Sequence, residues 1–465
     1  MINSRKQVRW LWWLVLLVPL WAGGATKVHE FRLDNGLKVL VKEDHRAPVV
    51  VSQIWYKVGS SYEYEGITGI SHLLEHMMFK GTAKHGPGEF SRIIAEHGGR
   101  ENAFTGHDYT SYFETLEKSR LPVAFELEAD RMRNLLLDEK EFAKEKQVVL
   151  EERRMRTDDQ PRAKTHEHFM ATAFTNGPYR NPVIGWPADI EALTIEDLRQ
   201  WYRRWYAPNN ATLVVVGDVE PQTVLQLARQ WFGPLQPSEI PPLKPRTEVK
   251  QLGERRLVVK LPAKLPYLLM GYKVPVLASL DQEHQWEAYA LTVLAGILDG
   301  GESARLATRL VRGSQIAAAA SAGYDLYDRL PSLFLFDATP AQGHELEELE
   351  QAFFREIETL QQELVSEEEL ERVKTQVTAD AIYERDSMFY QAMQLGLLET
   401  VGLGWQRLDE YVDRIRQISA EQVRQVARKY LIPENLTVAH LQPLPIEEGK
   451  RPAVPEVAPG GEHVR

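Results

Sequence analysis

Hydrophobic positions along this chain alternate in some stretches and recur at helical spacing in others. Residues 39–41 and 49–56 are rich in β-branched and aromatic side chains and predict strands. Residues 103–105 and 109–113 flank Gly106-His107-Asp108 and predict a hairpin. Residues 345–364 follow a helical period, and Ser366 with Glu369 spells a capping box before the next helix. Strands and helices in separate blocks predict α+β domains, each an antiparallel or mixed sheet covered by helices.

The pattern also repeats. Residues 194–212 read TIEDLRQWYRRWYAPNNAT and residues 419–437 read SAEQVRQVARKYLIPENLT, with 7 of 19 positions identical. Each copy predicts a capped helix, a proline turn and a strand. Tyr56-Lys57-Val58 is echoed by Tyr272-Lys273-Val274. A duplicated chain follows, with two similar domains. A cluster of prolines at 234, 237, 241, 242 and 245 predicts an extended linker over 236–246. The domains are then 27–235 and 247–442, and 443–465 reads as a disordered tail.

The first residues stand apart. Arg5, Lys6 and Arg9 precede an apolar run of 12 residues, Trp10 to Trp21, and then Gly23-Gly24-Ala25. This is the layout of a signal peptide over 1–25. The run is shorter than the roughly 20 residues that span a bilayer, and Pro19 interrupts it; an uncleaved anchor is the alternative. The mature chain is expected in a periplasm, with no membrane span. The full sequence of 465 residues exceeds one ordinary core, which agrees with the duplication. Cysteine is absent, which excludes a disulfide framework, a thiol nucleophile and a cysteine-ligated metal. Cleavage would remove three basic residues and take the net charge from −11 to −14, a balance that repels nucleic acid.

The chemistry centres on His72-Leu-Leu-Glu75-His76. Thr68 is the expected N-cap of this helix and Gly81 its stop. Residues four apart share a helix face, so both imidazoles point one way, and Glu75 leans to the same side. The turn is otherwise apolar, and burying three ionisable groups in it is costly unless something satisfies them. A zinc ion does so, with two imidazoles as ligands and the carboxylate beside it as a base. Simple packing of the two histidines is the bland alternative.

A third ligand is expected on a helix over 139–156. Phe142, Val148, Val149 and Met155 form its apolar stripe, and Glu145 and Glu152 fall on that stripe. Glu151 points instead to solvent with Lys144, Gln147 and Arg154. Glu152 is the candidate ligand, and Glu145 would orient a histidine or hold a proton. Equally, both could be buried ion-pair partners of Arg131, Arg133 or Arg153. Arg153, Arg154 and Arg156 read as a solvated helix end. No phosphate-binding glycine loop and no G-x-S-x-G elbow occur.

The chain resembles the pitrilysin/insulinase family of zinc peptidases, with its inverted H-x-x-E-H motif. The resemblance rests on the stretch from His72 through Gly81-Thr82 and on Glu152, 76 residues after His76. It extends to Gly98-Gly99-Arg-Glu-Asn102-Ala-Phe-Thr105 and Asn181-Pro-Val-Ile-Gly185. It implies that the two domains face each other across a chamber. It implies one Zn2+ per chain on His72, His76 and Glu152, with Glu75 as catalytic base. It implies an endopeptidase acting on unstructured peptides added as a strand along Asn102, Ala103, Phe104 and Thr105. The second half carries no histidine or glutamate over 290–301, so only the first half can bind zinc. There the family's substrate-contacting arginine is kept as Arg312, but Ala319 stands where a tyrosine is expected. The bacterial branch similar to mitochondrial processing peptidase pairs chains, so a metal-free paralogous subunit is the expected partner, and a homodimer the alternative. A non-catalytic peptide-binding or scaffold subunit of the same fold is the competing function; a zinc chain silent until its partner docks is a third.

Overall fold

A computed structural model of the chain describes residues 27–244 and 246–446. The signal-peptide segment, Pro245 and the tail from 447 lie outside the described residues.

The first half runs β1 (Val28–Arg32), β2 (Lys38–Glu43), β3 (Val49–Tyr56), α1 (Ile70–Met77), α2 (Glu89–Glu96), β4 (Arg100–Thr105), β5 (Thr110–Glu117), α3 (Leu121–Asn134), α4 (Glu139–Arg153), α5 (Pro161–Ala173), α6 (Pro187–Ala192), α7 (Ile195–Trp205), β6 (Ala211–Gly217) and α8 (Pro221–Trp231). The second runs β7 (Arg255–Pro262), β8 (Tyr267–Val274), α9 (Trp286–Asp299), β9 (Ala317–Tyr324), β10 (Ser332–Pro340), α10 (Leu346–Gln362), α11 (Glu367–Tyr383), α12 (Met388–Thr400), α13 (Arg407–Arg416), α14 (Ala420–Tyr430) and β11 (Leu436–Leu444).

The sheets confirm the α+β duplication. Their strand orders are β1-β2-β6-β3-β5-β4 and β7-β11-β8-β10-β9. With β1 set aside, the two orders correspond strand for strand. In each, one pair is parallel (β2 with β6, β7 with β11) and the others are antiparallel. The repeated segments are α7 and α14, each with a complete capping box, Thr194 with Asp197 and Ser419 with Gln422. The expected hairpin is β4–β5, in register from Thr105↔Thr110 to Arg100↔Thr115.

Central strands are mostly apolar, and buried along nearly their whole length, because both their faces are covered. β6 is buried at every position, and β3 at all but its first. Val39, Val41, Ile54 and Leu213 face the first half's own helices. Their neighbours Leu40, Val51, Trp55 and Val214 face α12, which comes from the second half. The exchange is mutual: α5 of the first half lies on β7, β8 and β11, with Phe169 and Ala173 against Leu269 and Ala439. Each exchanged helix docks through a glycine. A Cβ on Gly396 of α12 would stand 2.1 Å from Trp55 Nε1, and one on Gly271 of β8 would stand 2.7 Å from Phe169 Cζ. Between the halves lies a cavity of about 790 Å³, reached by Ser61, Tyr62 and Pro178 from the first and Lys273, Arg329 and Tyr430 from the second.

Several local expectations need correction. The proline segment is extended, but it is pinned: Ser238 exchanges bonds with Asn209, and Arg246 donates to the Glu63 carbonyl. β11 runs to Leu444, opposite Pro262, two residues into the expected tail. Ser366 accepts from the Glu369 amide, but the Glu369 carboxylate reaches away to Arg305, so the box there is half made. Among the described residues, no helix is long and apolar enough to cross a membrane.

Candidate metal centre

α1 begins differently from the expectation. The residue before it is Gly69, left-handed at φ +86°, and Thr68 does not cap. Thr68 Oγ1 donates to Asp189 and accepts from the Trp186 amide instead. The cap is the buried carboxylate of Glu63, which accepts from the amides of Gly69 (2.7 Å) and Ser71 (2.9 Å). Gly69 also lies against Gly185: a Cβ on either would stand 2.5 Å from a carbonyl oxygen of the other's segment. The helix ends at Met77, before Gly81.

Leu73, Leu74 and Met77 turn into the core, which leaves His72 and His76 facing α4. Asp138 caps α4 through the amides of Lys140 and Glu141, and Phe142 and Val149 anchor it. Val148 and Met155, assigned above to its buried stripe, are exposed. The buried face is narrower and consists of Phe142, Glu145, Val149 and Arg153, with Glu152 at its margin.

Here the two helices exchange polar atoms. Glu152 Oε2 is 3.4 Å from His76 Nε2 and 3.8 Å from His72 Nε2. One donor atom from each of His72, His76 and Glu152 lies within 4.8 Å of the others. A tetrahedral ion with bonds of about 2.0 Å spaces its ligand atoms at about 3.3 Å, so this donor set fits zinc with little adjustment. Glu145 Oε2 lies 3.2 Å from His76 Nδ1, which turns Nε2 toward Glu152, and Lys80 holds the other Glu145 oxygen at 2.6 Å. Arg156 binds the second oxygen of Glu152 at 2.8 Å. Both carboxylates are ion-paired, but with Lys80 and Arg156 and not with the expected arginines: Arg131 takes Glu128, Arg153 takes Glu167, and Arg133 donates to the Tyr206 carbonyl.

Charge is balanced within the cluster. Burial works against a charged His76, but Glu145 and Glu152 outweigh it and push the ring up to about 9. Burial likewise resists ionised Glu152, yet His76, His72 and Arg156 hold it down to about 2. Glu75 differs: burial pushes it up to about 7, although the Thr105 hydroxyl, donating to its Oε2, pulls the other way. A base poised near neutrality suits proton transfer.

The other expected site residues are divided. Asn102, Ala103, Phe104 and Thr105 form the free edge of the first sheet. Asn102 Oδ1 accepts from the Ala103 amide, and Phe104 packs edge-on against Trp55 and Tyr109. Arg312 lies in the second half with its guanidinium on Glu302, and Ala319 sits opposite Thr339 on β9, the corresponding edge. Arg153 is not solvated but buried: it bonds Glu167 twice and the Gly185 carbonyl once, which ties the end of α4 to the start of α1. Lys80 and Arg156 were legible as residues four positions beyond His76 and Glu152. Glu63 carries no local signal. A second grouping, Glu43, His45 and Glu220, is mostly exposed at the far end of the sheet, where His45 is paired with Asp218 at 2.6 Å.

The insulinase (peptidase family M16) model matches residues 38–186, and the peptidase M16 inactive-domain model matches residues 192–377. A Helicobacter pylori chain named zinc protease PqqE is 34% identical over 418 residues, covering 88% of this chain and 92% of its own. This chain belongs to the insulinase family, M16. Another family relative, from Bacillus subtilis and named uncharacterized zinc protease YmxG, is 26% identical over 90% of this chain and 98% of its own. The crystal structure of a protease from Helicobacter pylori superposes with a TM-score of 0.85 at 32% identity, covering 90% of this chain and all of that one. The periplasmic protease PqqL from Escherichia coli shares the fold, with a TM-score of 0.76 at 18% identity, and this chain spans 52% of it. The inverted motif and Glu152 thus sit in a chain whose insulinase relatives are named zinc proteases.

Proposed function

We propose that this M16 chain is an exported zinc endopeptidase. The convergence of His72, His76 and Glu152 within 4.8 Å, beside the buried Glu75, carries this reading. Those three side chains would hold the ion, and zinc bound there would polarise a peptide carbonyl and acidify water. Glu145 steadies the His76 ring. An extended peptide adds to the free edge of β4, where main-chain bonds give affinity with little sequence demand. Glu75 takes a proton from the attacking water and returns it to the leaving nitrogen. Glu75→Gln is expected to retain zinc by elemental analysis while cleavage of an unstructured peptide falls about 10²–10⁴-fold. Turnover retained in the zinc-loaded variant overturns the role of Glu75.

The second half lacks the tyrosine at 319, and its Arg312 is engaged by Glu302. A metal-free paralogous subunit would supply the missing contacts, with a second copy of this chain as the other candidate. Mixing the chain with the product of a neighbouring related gene is expected to raise the rate. A full rate from the lone monomer dismisses the partner. Residues 1–25 would direct export to the periplasm, which is checked by sequencing the N-terminus of the protein recovered there.

A further inference from the structure

We propose that Thr105 is a positioning residue that couples the seating of a peptide to the orientation of the Glu75 carboxylate; the inference rests on the peptidase reading above. Thr105 is the last residue of β4, which pairs with β5 on one side and, among the described residues, with no other strand. Strand alternation turns Ala103 and Thr105 toward the helical layer and leaves Asn102 and Phe104 on the other face. The contacts follow that alternation: Ala103 is buried in the core that includes α1, and Phe104 packs on Trp55. Thr105 thereby brings its hydroxyl to Glu75 Oε2. Among the described residues, no second side chain donates to that carboxylate.

Two roles therefore meet in one residue. Its side chain fixes one oxygen of the base and leaves the other for proton transfer. Its main chain belongs to the edge that an incoming strand would pair. A β-branched side chain is stiff at χ1, so its hydroxyl follows the backbone closely. An edge strand held on one side only is stiffened when a peptide pairs on the other. A peptide long enough to pair along the whole edge then improves the aim of Glu75 as well as binding. Remote contacts of that kind raise kcat rather than only lowering KM. A threonine that merely packed would show no such dependence on peptide length.

The test compares Thr105→Val, which keeps shape and loses the hydroxyl, with Thr105→Ser, which keeps the hydroxyl. Glu75→Gln serves as reference, and Thr105→Ala replaces the valine variant if that one fails to fold. The first readout needs no turnover: the infrared carboxylate band of Glu75, assigned as the one missing in Glu75→Gln, is expected to shift in Thr105→Val and return in Thr105→Ser. The second is kinetic. Thr105→Val should lose about tenfold or more in kcat on a long peptide, within the range of general acid–base effects, with KM and zinc content unchanged. Its kcat advantage for long over short peptides should vanish while their lower KM remains, and Thr105→Ser should restore most of that kcat advantage. An unshifted band with unchanged kcat overturns the proposal, as does a serine variant no better than valine. Should the zinc-loaded wild type cleave nothing either alone or mixed with the related neighbouring-gene product, the peptidase reading falls, and the infrared band alone decides whether Thr105 orients Glu75.

Discussion

The two halves build the same helix–helix seam and fill it with opposite materials. In the first, α1 meets α4 through His72 and His76 on one side and Glu145 and Glu152 on the other. In the second, α9 meets α11 through bare contact. α9 reads WEAYALTVLAGILD, and a Cβ on its Gly296 would stand 2.6 Å from Val373 Cγ1. One seam meets through apolar contact, and the other is bridged by ionisable groups that are costly to bury. The same fold accommodates both fillings, and four side chains distinguish the seam to which the peptidase reading assigns the chemistry.

Breaking the polar seam should have the largest effect. Glu152→Gln is expected to empty the chain of zinc by elemental analysis and to abolish cleavage, while the circular dichroism spectrum is preserved. Glu145→Gln should weaken zinc about 10–100-fold, as loss of a group orienting a ligand does, measured by competition with a chelator of known affinity. The packed contacts should respond in stability alone. Gly396→Ala drives a methyl into Trp55 and should lose about 1–3 kcal/mol in urea unfolding, the usual cost of overpacking. Gly296→Ala should lose about 1 kcal/mol, since the gain in helix propensity offsets part of the clash. Neither glycine variant should alter zinc stoichiometry.

The smallest expected effect is electrostatic and lies wholly in the second half. Burial opposes an ionised Glu350, but His440 and Arg256 hold its carboxyl down to about 2, below its ordinary 4.5. A depressed carboxyl stabilises the folded chain above pH 4.5, and that contribution fades as pH falls toward 2. Glu350→Gln should therefore unfold earlier than wild type in urea at pH 7, with the gap narrowing by pH 3. A gap that widens in acid would show that Glu350 is not held ionised.

Much of this architecture was legible because its signals are local. The capping boxes of α7 and α14, the β4–β5 hairpin and the inverted motif all sit within a few residues of what they specify. Spacing on two helices also singled out the three side chains that converge. What escaped is long-range. Thr68 had the composition of a cap, but Glu63, folded back from before the helix, does the capping. Val148 and Met155 fit a helical stripe, yet the groove beside α1 is too narrow to cover them. Arg153 read as solvated because its partner Glu167 lies a turn and a helix away. Periodicity tells that a face is buried and not what covers it, so nothing in α5 or α12 announced that each would lie on the other half's sheet.

That trade of helices bears on how such a protein descends. A duplicate that has lost its metal ligands is ordinarily redundant and free to decay. Here its removal would strip Trp55, Leu40 and Val214 of their cover and leave the surviving copy with a wet, adhesive flank. On the peptidase reading, selection acting on the first half also preserves the cover that α12 of the second half supplies.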